Sequence, residues 1–220
     1  MLSPEAVVFD LDGTLIDSRR DIATAINRMR GELGLPPLAL EQIVTMVGEG
    51  ARLLVERALG SGFTPEEADR ALARYLIHYD EVCLETTEPY PGVSEMLAAL
   101  AKSYPLALLS NKGEALSRKI LDGLGLTPLF REILGGDTLP TRKPDPSGLL
   151  LVAERLEVPA GKLLLVGDTW VDAETAKNAG CPFALVEWGF PRPPKLDGVQ
   201  ADLRVARAEE LTAALERART

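Results

Sequence analysis

The stretch Val7-Val8-Phe9-Asp10-Leu11-Asp12-Gly13-Thr14-Leu15 constrains this chain more than any other. Val7, Val8 and Phe9 are β-branched or aromatic, the residue types that fill a buried strand. Two carboxylates follow, two positions apart. In extended backbone, residues i and i+2 point to the same side, about 6–7 Å apart. Asp10 and Asp12 can therefore face one small ligand from the end of one strand. Gly13 breaks the strand and lets the backbone come close to whatever sits there. Two neighbouring carboxylates repel unless a cation lies between them or one keeps a proton. For Asp10 and Asp12 alone, a strand ending in an acidic turn is a sufficient reading.

Composition narrows the partners. The 220 residues suffice for one large domain, or one domain with a smaller insert. No apolar run approaches the roughly 18 residues of a membrane span, and the N-terminus lacks a basic-then-apolar signal pattern. The expectation is a soluble, cytoplasmic protein, monomeric or homodimeric. A net charge of −9 and a pI of about 4.8 argue against nucleic acid or anionic membranes as partners. A small phosphorylated metabolite stays open, because a bound divalent cation inverts the local field. The two cysteines, Cys83 and Cys181, have no metal-ligand spacing and read as buried, reduced thiols. His78 is the whole histidine supply, which rules out multi-histidine zinc sites. A serine or cysteine hydrolase would need His78 as its base, yet His78 lies in a helical pattern that gives it a structural place.

After the first strand the hydrophobic period changes. Ile22, Ala25, Ile26, Met29 and Leu33 recur at helical spacing until Pro36-Pro37. A second helical piece is expected near Glu41–Val47 and a third over Leu53, Leu54, Ala58 and Leu59, separated by Gly48-Glu49-Gly50. Thr64-Pro65-Glu66-Glu67 has the signature of a helix start, and Ala68, Leu72, Tyr75, Leu76, Tyr79 and Val82 line one face of the helix that follows. Four amphipathic helices with no strand between them read as a small bundle. From Tyr90-Pro91-Gly92 onward, helices alternate with strands at Leu106–Leu109, Ile133-Leu134, Lys162–Val166, Phe183–Val186 and Ala201–Val205. Alternation of this kind argues for an α/β fold, a Rossmann-like parallel sheet with helices on both faces. The expected organisation is an α/β core of residues 1–16 and 89–220, interrupted by a helical-bundle cap domain of residues 17–88. The run Pro191-Arg192-Pro193-Pro194 reads as a surface loop.

In open parallel sheets, ligands bind beyond the carboxyl ends of the strands. Four polar groups stand there: Asp10 and Asp12; Ser110-Asn111-Lys112; Arg142-Lys143-Pro144; and Gly167-Asp168-Thr169-Trp170-Val171-Asp172. Each alone also reads as a turn, a solvated lysine or a helix cap. Together, and in this order, they resemble the four motifs of the haloacid dehalogenase superfamily of phosphatases, over essentially the whole chain. Within that superfamily, several stretches resemble the bacterial phosphoglycolate phosphatases. These include Glu32-Leu33-Gly34-Leu35-Pro36, Val47-Gly48-Glu49-Gly50-Ala51, Val55-Glu56-Arg57-Ala58-Leu59, Lys143-Pro144-Asp145-Pro146 and Ala179-Gly180-Cys181-Pro182. Dehalogenase and phosphonate-cleaving members do not keep an aspartate at the Asp12 position. Phosphohexomutases usually carry Glu-Asp where this chain has Gly167-Asp168.

The resemblance implies a magnesium-dependent phosphomonoesterase. Asp10 would attack phosphorus and form an aspartyl-phosphate, and Asp12 would serve as general acid and base. Asp10, Asp168 and the Asp12 backbone carbonyl would hold magnesium, with Asp172 buttressing that site or approaching the metal's waters. Thr14, Ser110 and Asn111 would contact the substrate, and Lys143 would meet the developing charge. The expected ester is 2-phosphoglycolate; other small phosphate esters, a nucleoside monophosphate and pyrophosphate are alternatives. The core would bind only the phosphoryl group, so discrimination falls to the insert. There, Gly48 and Gly50 would open backbone amides to the ligand and Arg52 would pair with a substrate carboxylate. Alternatively, the two glycines only shape an interhelical turn and Arg52 is solvated. Two rivals of other classes are a phospho-aspartate receiver domain, against which Asp12 and the helical insert argue, and a non-catalytic binding scaffold.

Overall fold

The computed structural model describes residues 2–190 and 198–218. The expected loop Pro191-Arg192-Pro193-Pro194 lies outside them. The chain divides into two compact units, one running to Asp17 and resuming at Pro89, the other spanning Ser18–Glu88.

The first unit is built on strands β1 (Ala6–Phe9), β4 (Leu106–Leu109), β5 (Glu132–Leu134), β6 (Leu163–Gly167), β7 (Phe183–Val186) and β8 (Leu203–Val205). Among the described residues they form one parallel sheet in the order β5-β4-β1-β6-β7-β8. All four residues of β1 are fully buried, as a central strand covered on both faces requires. Ala6 and Val8 join Leu109, Leu163 and Leu165 under Leu149 and Val152 of helix α7 (Ser147–Leu156) and Ala176 of α8 (Trp170–Ala179). Val7 and Phe9 alternate to the opposite face. Helices α5 (Val93–Leu100) and α9 (Ala208–Arg217) pack on each other and lie outside that cluster. Helix α6 (Glu114–Gly123) ends in a left-handed Gly125, where the Leu126 amide closes onto the Leu121 carbonyl.

Strand order decides where a ligand can sit. From β1 the chain moves outward through β4 to β5, then returns to β6 and proceeds the other way through β7 to β8. The connections leaving β1 and β6 diverge, which opens a crevice at their carboxyl ends. Register brings Phe9 beside both Leu108 and Val166. Asp10, Ser110 and Asp168 therefore emerge together, at or just past the ends of three adjacent strands.

The second unit contains α1 (Arg19–Glu32), α2 (Leu40–Val44), α3 (Ala51–Leu59) and α4 (Pro65–Val82). Thr64 caps α4 in the box expected of Thr64-Pro65-Glu66-Glu67, its hydroxyl accepting from the Glu67 amide. Ile22, Ile26, Met29, Tyr75 and Tyr79 are buried, and the two tyrosine rings stack 5.7 Å apart. His78 serves this bundle, with Nε2 2.9 Å from Glu32 Oε1, while Arg74 donates to the same carboxylate. That pairing holds the Glu32 carboxyl down at about 2.

The elements differ from the sequence expectation in places. α2 stops at Val44, and β8 begins at Leu203 because the Asp202 side chain takes the Phe183 amide. Two-residue strands β2 (Ile16–Asp17) and β3 (Glu88–Pro89) pair with each other, too short to leave a periodic signal. Among the described residues, no helix is long and apolar enough to cross a membrane.

Asp21 ties the second unit's first helix to its last loop. The buried carboxylate accepts from the amides and hydroxyls of both Thr86 and Thr87, with the hydroxyls at 2.6 and 2.7 Å. Asp21→Ala should therefore destabilise the protein by about 2–4 kcal/mol, since it strands several donors to a buried charge. Urea unfolding checks this, and an effect below about 1 kcal/mol would show those donors to be satisfied by water.

Candidate active site

The segment after β1 coils tightly. The amides of Thr14, Leu15 and Ile16 all turn back to the Leu11 carbonyl, and Gly13 supports this with φ +84°. The coil keeps Asp10 and Asp12 at the strand end and places Thr14 against β6. Asp10, Asp168 and Asp172 then offer carboxylate oxygens all within 4.8 Å of one another, each residue buried. Asp172 follows Asp168 by one helical turn because Thr169 caps α8; the Thr169 hydroxyl and amide meet Asp172 Oδ2 at 2.5 and 3.1 Å.

Lys143 enters this cluster from the loop before α7. Its ammonium is 2.9 Å from Asp10 Oδ1 and 2.6 Å from Asp172 Oδ1. The Asn111 amide donates to the Lys143 carbonyl at 3.0 Å, fastening the β4 loop to the lysine loop. Burial pushes the Asp10 carboxyl up to about 6; Lys143 opposes that shift and Asp172 adds to it. Burial raises Asp168 well above the usual carboxylate range, reinforced by Asp172 and Asp10 and opposed by the Phe190 amide and the Thr14 hydroxyl. Burial works against the Lys143 ammonium, but Asp10 and Asp172 outweigh it and hold its pKa above normal.

The charge balance bears on a metal. Three carboxylates against one ammonium leave two buried negative charges when all are ionised, with hard oxygen donors and no sulfur or imidazole among them. The donor set fits a divalent cation of the magnesium or calcium kind. Asp172 is already engaged at both oxygens, by Lys143 and by Thr169. Its geometry is that of a residue that orients Lys143.

Asp12 is 2.7 Å from the Lys112 ammonium. The sequence reading placed Lys112 in its motif but gave it no role; only the path of the β4 loop brings it to Asp12. Ser110 is buried, and its hydroxyl accepts from the Lys112 amide. Thr14, expected to touch substrate, is buried and donates to Asp168 Oδ1 at 3.1 Å. Also unassigned from sequence was the segment after β7: the Phe190 amide donates to Asp168 Oδ2 at 3.1 Å, and the Trp188 indole N–H donates to the Thr14 carbonyl at 3.0 Å. Gly48, Gly50 and Arg52 belong to the other unit. Gly48 and Gly50 have φ of +119° and +94°, so the turn itself demands glycine there. The Arg52 guanidinium pairs with Glu56 at 2.5 Å and with Asp69, so a substrate carboxylate would have to compete with both.

This constellation agrees with comparisons to known proteins. Residues 7–186 match the haloacid dehalogenase-like hydrolase family. The phosphoglycolate phosphatase of Rhodospirillum rubrum is 42% identical over 199 residues, covering 87% of this chain and 83% of that protein. That of Aquifex aeolicus is 40% identical over 206 residues, 93% of each chain. Among solved structures, a protein from Haemophilus somnus described as a predicted phosphoglycolate phosphatase superposes with a TM-score of 0.89. It is 29% identical and covers 96% of this chain and 97% of that one. The chain belongs to the haloacid dehalogenase-like hydrolases and is a phosphatase of that superfamily. That membership sets aside the receiver domain.

Lys143→Met keeps most of the side-chain volume and removes the ammonium that lies between Asp10 and Asp172. It should destabilise the chelator-treated protein by about 3–5 kcal/mol, as breaking a buried ion pair does, and should abolish activity. Urea unfolding in excess chelator reads the first effect. Unchanged stability would show that the carboxylates carry protons instead of leaning on Lys143.

Proposed function

We propose that this phosphatase is a magnesium-dependent hydrolase of 2-phosphoglycolate that works through an aspartyl-phosphate on Asp10. The observation that carries this reading is the Lys143 ammonium, held 2.9 Å from Asp10 within a buried carboxylate cluster at the ends of β1 and β6. A phosphate ester is already anionic, so its hydrolysis needs charge neutralisation and alignment more than a strong nucleophile.

Asp10 Oδ attacks phosphorus in line with the ester oxygen; the P–O bond to glycolate breaks as the new bond forms. Asp12 gives its proton to the departing alkoxide, and glycolate leaves. The ionised Asp12 then takes a proton from a water molecule. That water attacks phosphorus, releases inorganic phosphate and frees the Asp10 carboxylate. Lys112, 2.7 Å from Asp12, holds the acid/base carboxylate in place. Lys143 meets the negative charge on the phosphoryl oxygens, with Ser110 and Asn111 shaping the floor beneath it. Asp10 and Asp168, with the Asp12 backbone carbonyl, would hold magnesium, which when bound supplies charge neutralisation for the phosphoryl group.

The ester itself rests on the names of the relatives, at 40–42% identity over most of the chain. The buried thiols of Cys83 and Cys181 suit a reducing cytoplasm.

Phosphate release across a panel of 2-phosphoglycolate, an aryl phosphate, a nucleoside monophosphate and pyrophosphate tests the reading. With magnesium, 2-phosphoglycolate should have the highest kcat/KM; chelator should stop turnover, and magnesium should restore it better than calcium. Asp10→Asn should keep the fold and lower kcat by about a thousandfold or more. Near-normal activity of that variant, or full activity in excess chelator, would overturn the mechanism. Preference for another ester would overturn only the substrate.

A further inference from the structure

We infer that the segment Trp188-Gly189-Phe190, which follows β7, is a positioning clamp that sets the Asp168 carboxylate for the divalent cation. The inference rests on the metal-dependent reading above. None of the three residues belongs to a motif that the sequence singled out.

Asp168 is engaged on every side. Thr14 donates to Oδ1 and the Phe190 amide donates to Oδ2, each at 3.1 Å. A carboxylate oxygen has two lone pairs, so one on each oxygen remains for a cation. Backbone also crowds the side chain. A methyl group on Gly13 would lie 2.3 Å from Asp168 Oδ2; one on Gly189 would lie 2.4 Å from Asp168 Cβ and 2.5 Å from Oδ2. The side chain is pressed between two bare stretches of backbone, one from the β1 loop and one from the β7 loop. Trp188 joins the two walls, since its indole N–H donates to the Thr14 carbonyl at 3.0 Å.

The two glycines differ in a way that makes a test possible. Gly13 has φ +84° and needs glycine for its backbone as well as for space. Gly189 is not among the left-handed glycines, and the three atoms nearest to an added methyl group there all belong to the Asp168 side chain. A displaced Asp168 loses its aim at the cation while the nucleophile Asp10, the acid/base Asp12 and Lys143 are left untouched. Residues that orient a metal ligand typically control affinity by about ten- to a hundredfold.

Three variants are compared with the wild type after chelator treatment: Gly189→Ala, Trp188→Phe and, as a control, Gly161→Ala. A methyl group on Gly161 would approach nothing closer than 3.6 Å. Magnesium chloride is titrated calorimetrically into each protein without substrate, and kcat and KM are then measured against magnesium concentration. Gly189→Ala should weaken magnesium binding and raise the half-activating concentration by about ten- to a hundredfold. Its KM for substrate at saturating magnesium should stay within about threefold of wild type. Trp188→Phe keeps an aromatic ring but removes the pyrrole part of the indole with its hydrogen bond, so its shift should be smaller, about three- to tenfold. Gly161→Ala should match the wild type. A magnesium affinity unchanged in both Gly189→Ala and Trp188→Phe would overturn the clamp. Should Gly189→Ala fail to fold, as judged by circular dichroism, Trp188→Phe decides: a shift supports the clamp and no shift overturns it. A wild type that neither binds magnesium nor responds to it would instead overturn the metal-dependent reading, a result distinct from either.

Discussion

The Lys143 ammonium, set between Asp10 and Asp172, is the interaction on which the rest of the site depends. Asp10, Asp168 and Asp172 are buried side by side, and burial alone drives Asp10 and Asp168 toward protonation. An isolated buried carboxylate costs several kcal/mol unless it is paired and hydrogen-bonded. Lys143 compensates part of that charge, and backbone amides and hydroxyls around Asp168 and Asp172 compensate part of the remainder. What is left uncompensated is negative charge that a divalent cation would offset, and that cation would also make the site tolerant of an anionic phosphoryl group.

The sheet makes this concentration of charge possible. Its strands are apolar throughout their buried length, so polar groups gather where the strands end. The order β5-β4-β1-β6-β7-β8 puts the end of β1 between those of β4 and β6. Four loops then converge on one point, and each brings a different function: the β1 coil brings Asp10 and Asp12, the β4 loop Lys112, the loop before α7 Lys143, and the β6 turn Asp168. The loops hold one another through main-chain groups. Asn111 grips the Lys143 carbonyl, Trp188 the Thr14 carbonyl, and Phe190 supplies its own amide to Asp168. Glycine recurs where backbone must touch carboxylate: Gly13 and Gly189 flank Asp168, and Gly167 lies against Asp172. Any side chain at these positions would push an aspartate off its place.

Much of this was legible from residues alone. Runs such as Val7-Val8-Phe9 and Leu163-Leu164-Leu165-Val166 identify buried parallel strands, because only strands covered on both faces are apolar without alternation. The helical spacing of Ile22, Ile26 and Met29, against the strand–helix alternation after Tyr90, separates a helical insert from an α/β core. Asp10, Asp12, Lys143 and Asp168 are recognisable because the motifs that hold them, taken together and in order, resemble those of the haloacid dehalogenase superfamily. The two-residue strands β2 and β3 escape such reading because two residues carry no period. The pairing of Arg52 with Asp69 escapes it too, since 17 positions separate them.

The sequence by itself therefore determined the fold class, the insert and the identity of the acidic and basic groups, since periodicity and local motif are properties of neighbouring residues. Only the tertiary structure decided how those groups pair: Lys112 with Asp12, Thr14 with Asp168, Asp172 with Lys143, and the β7 loop with Asp168. Each of these contacts joins residues separated by 22 to 154 positions, apart from the fixed hydrogen bonds around each turn. Such pairings depend on strand order and register, which set which loop ends meet, and a local pattern carries no record of either.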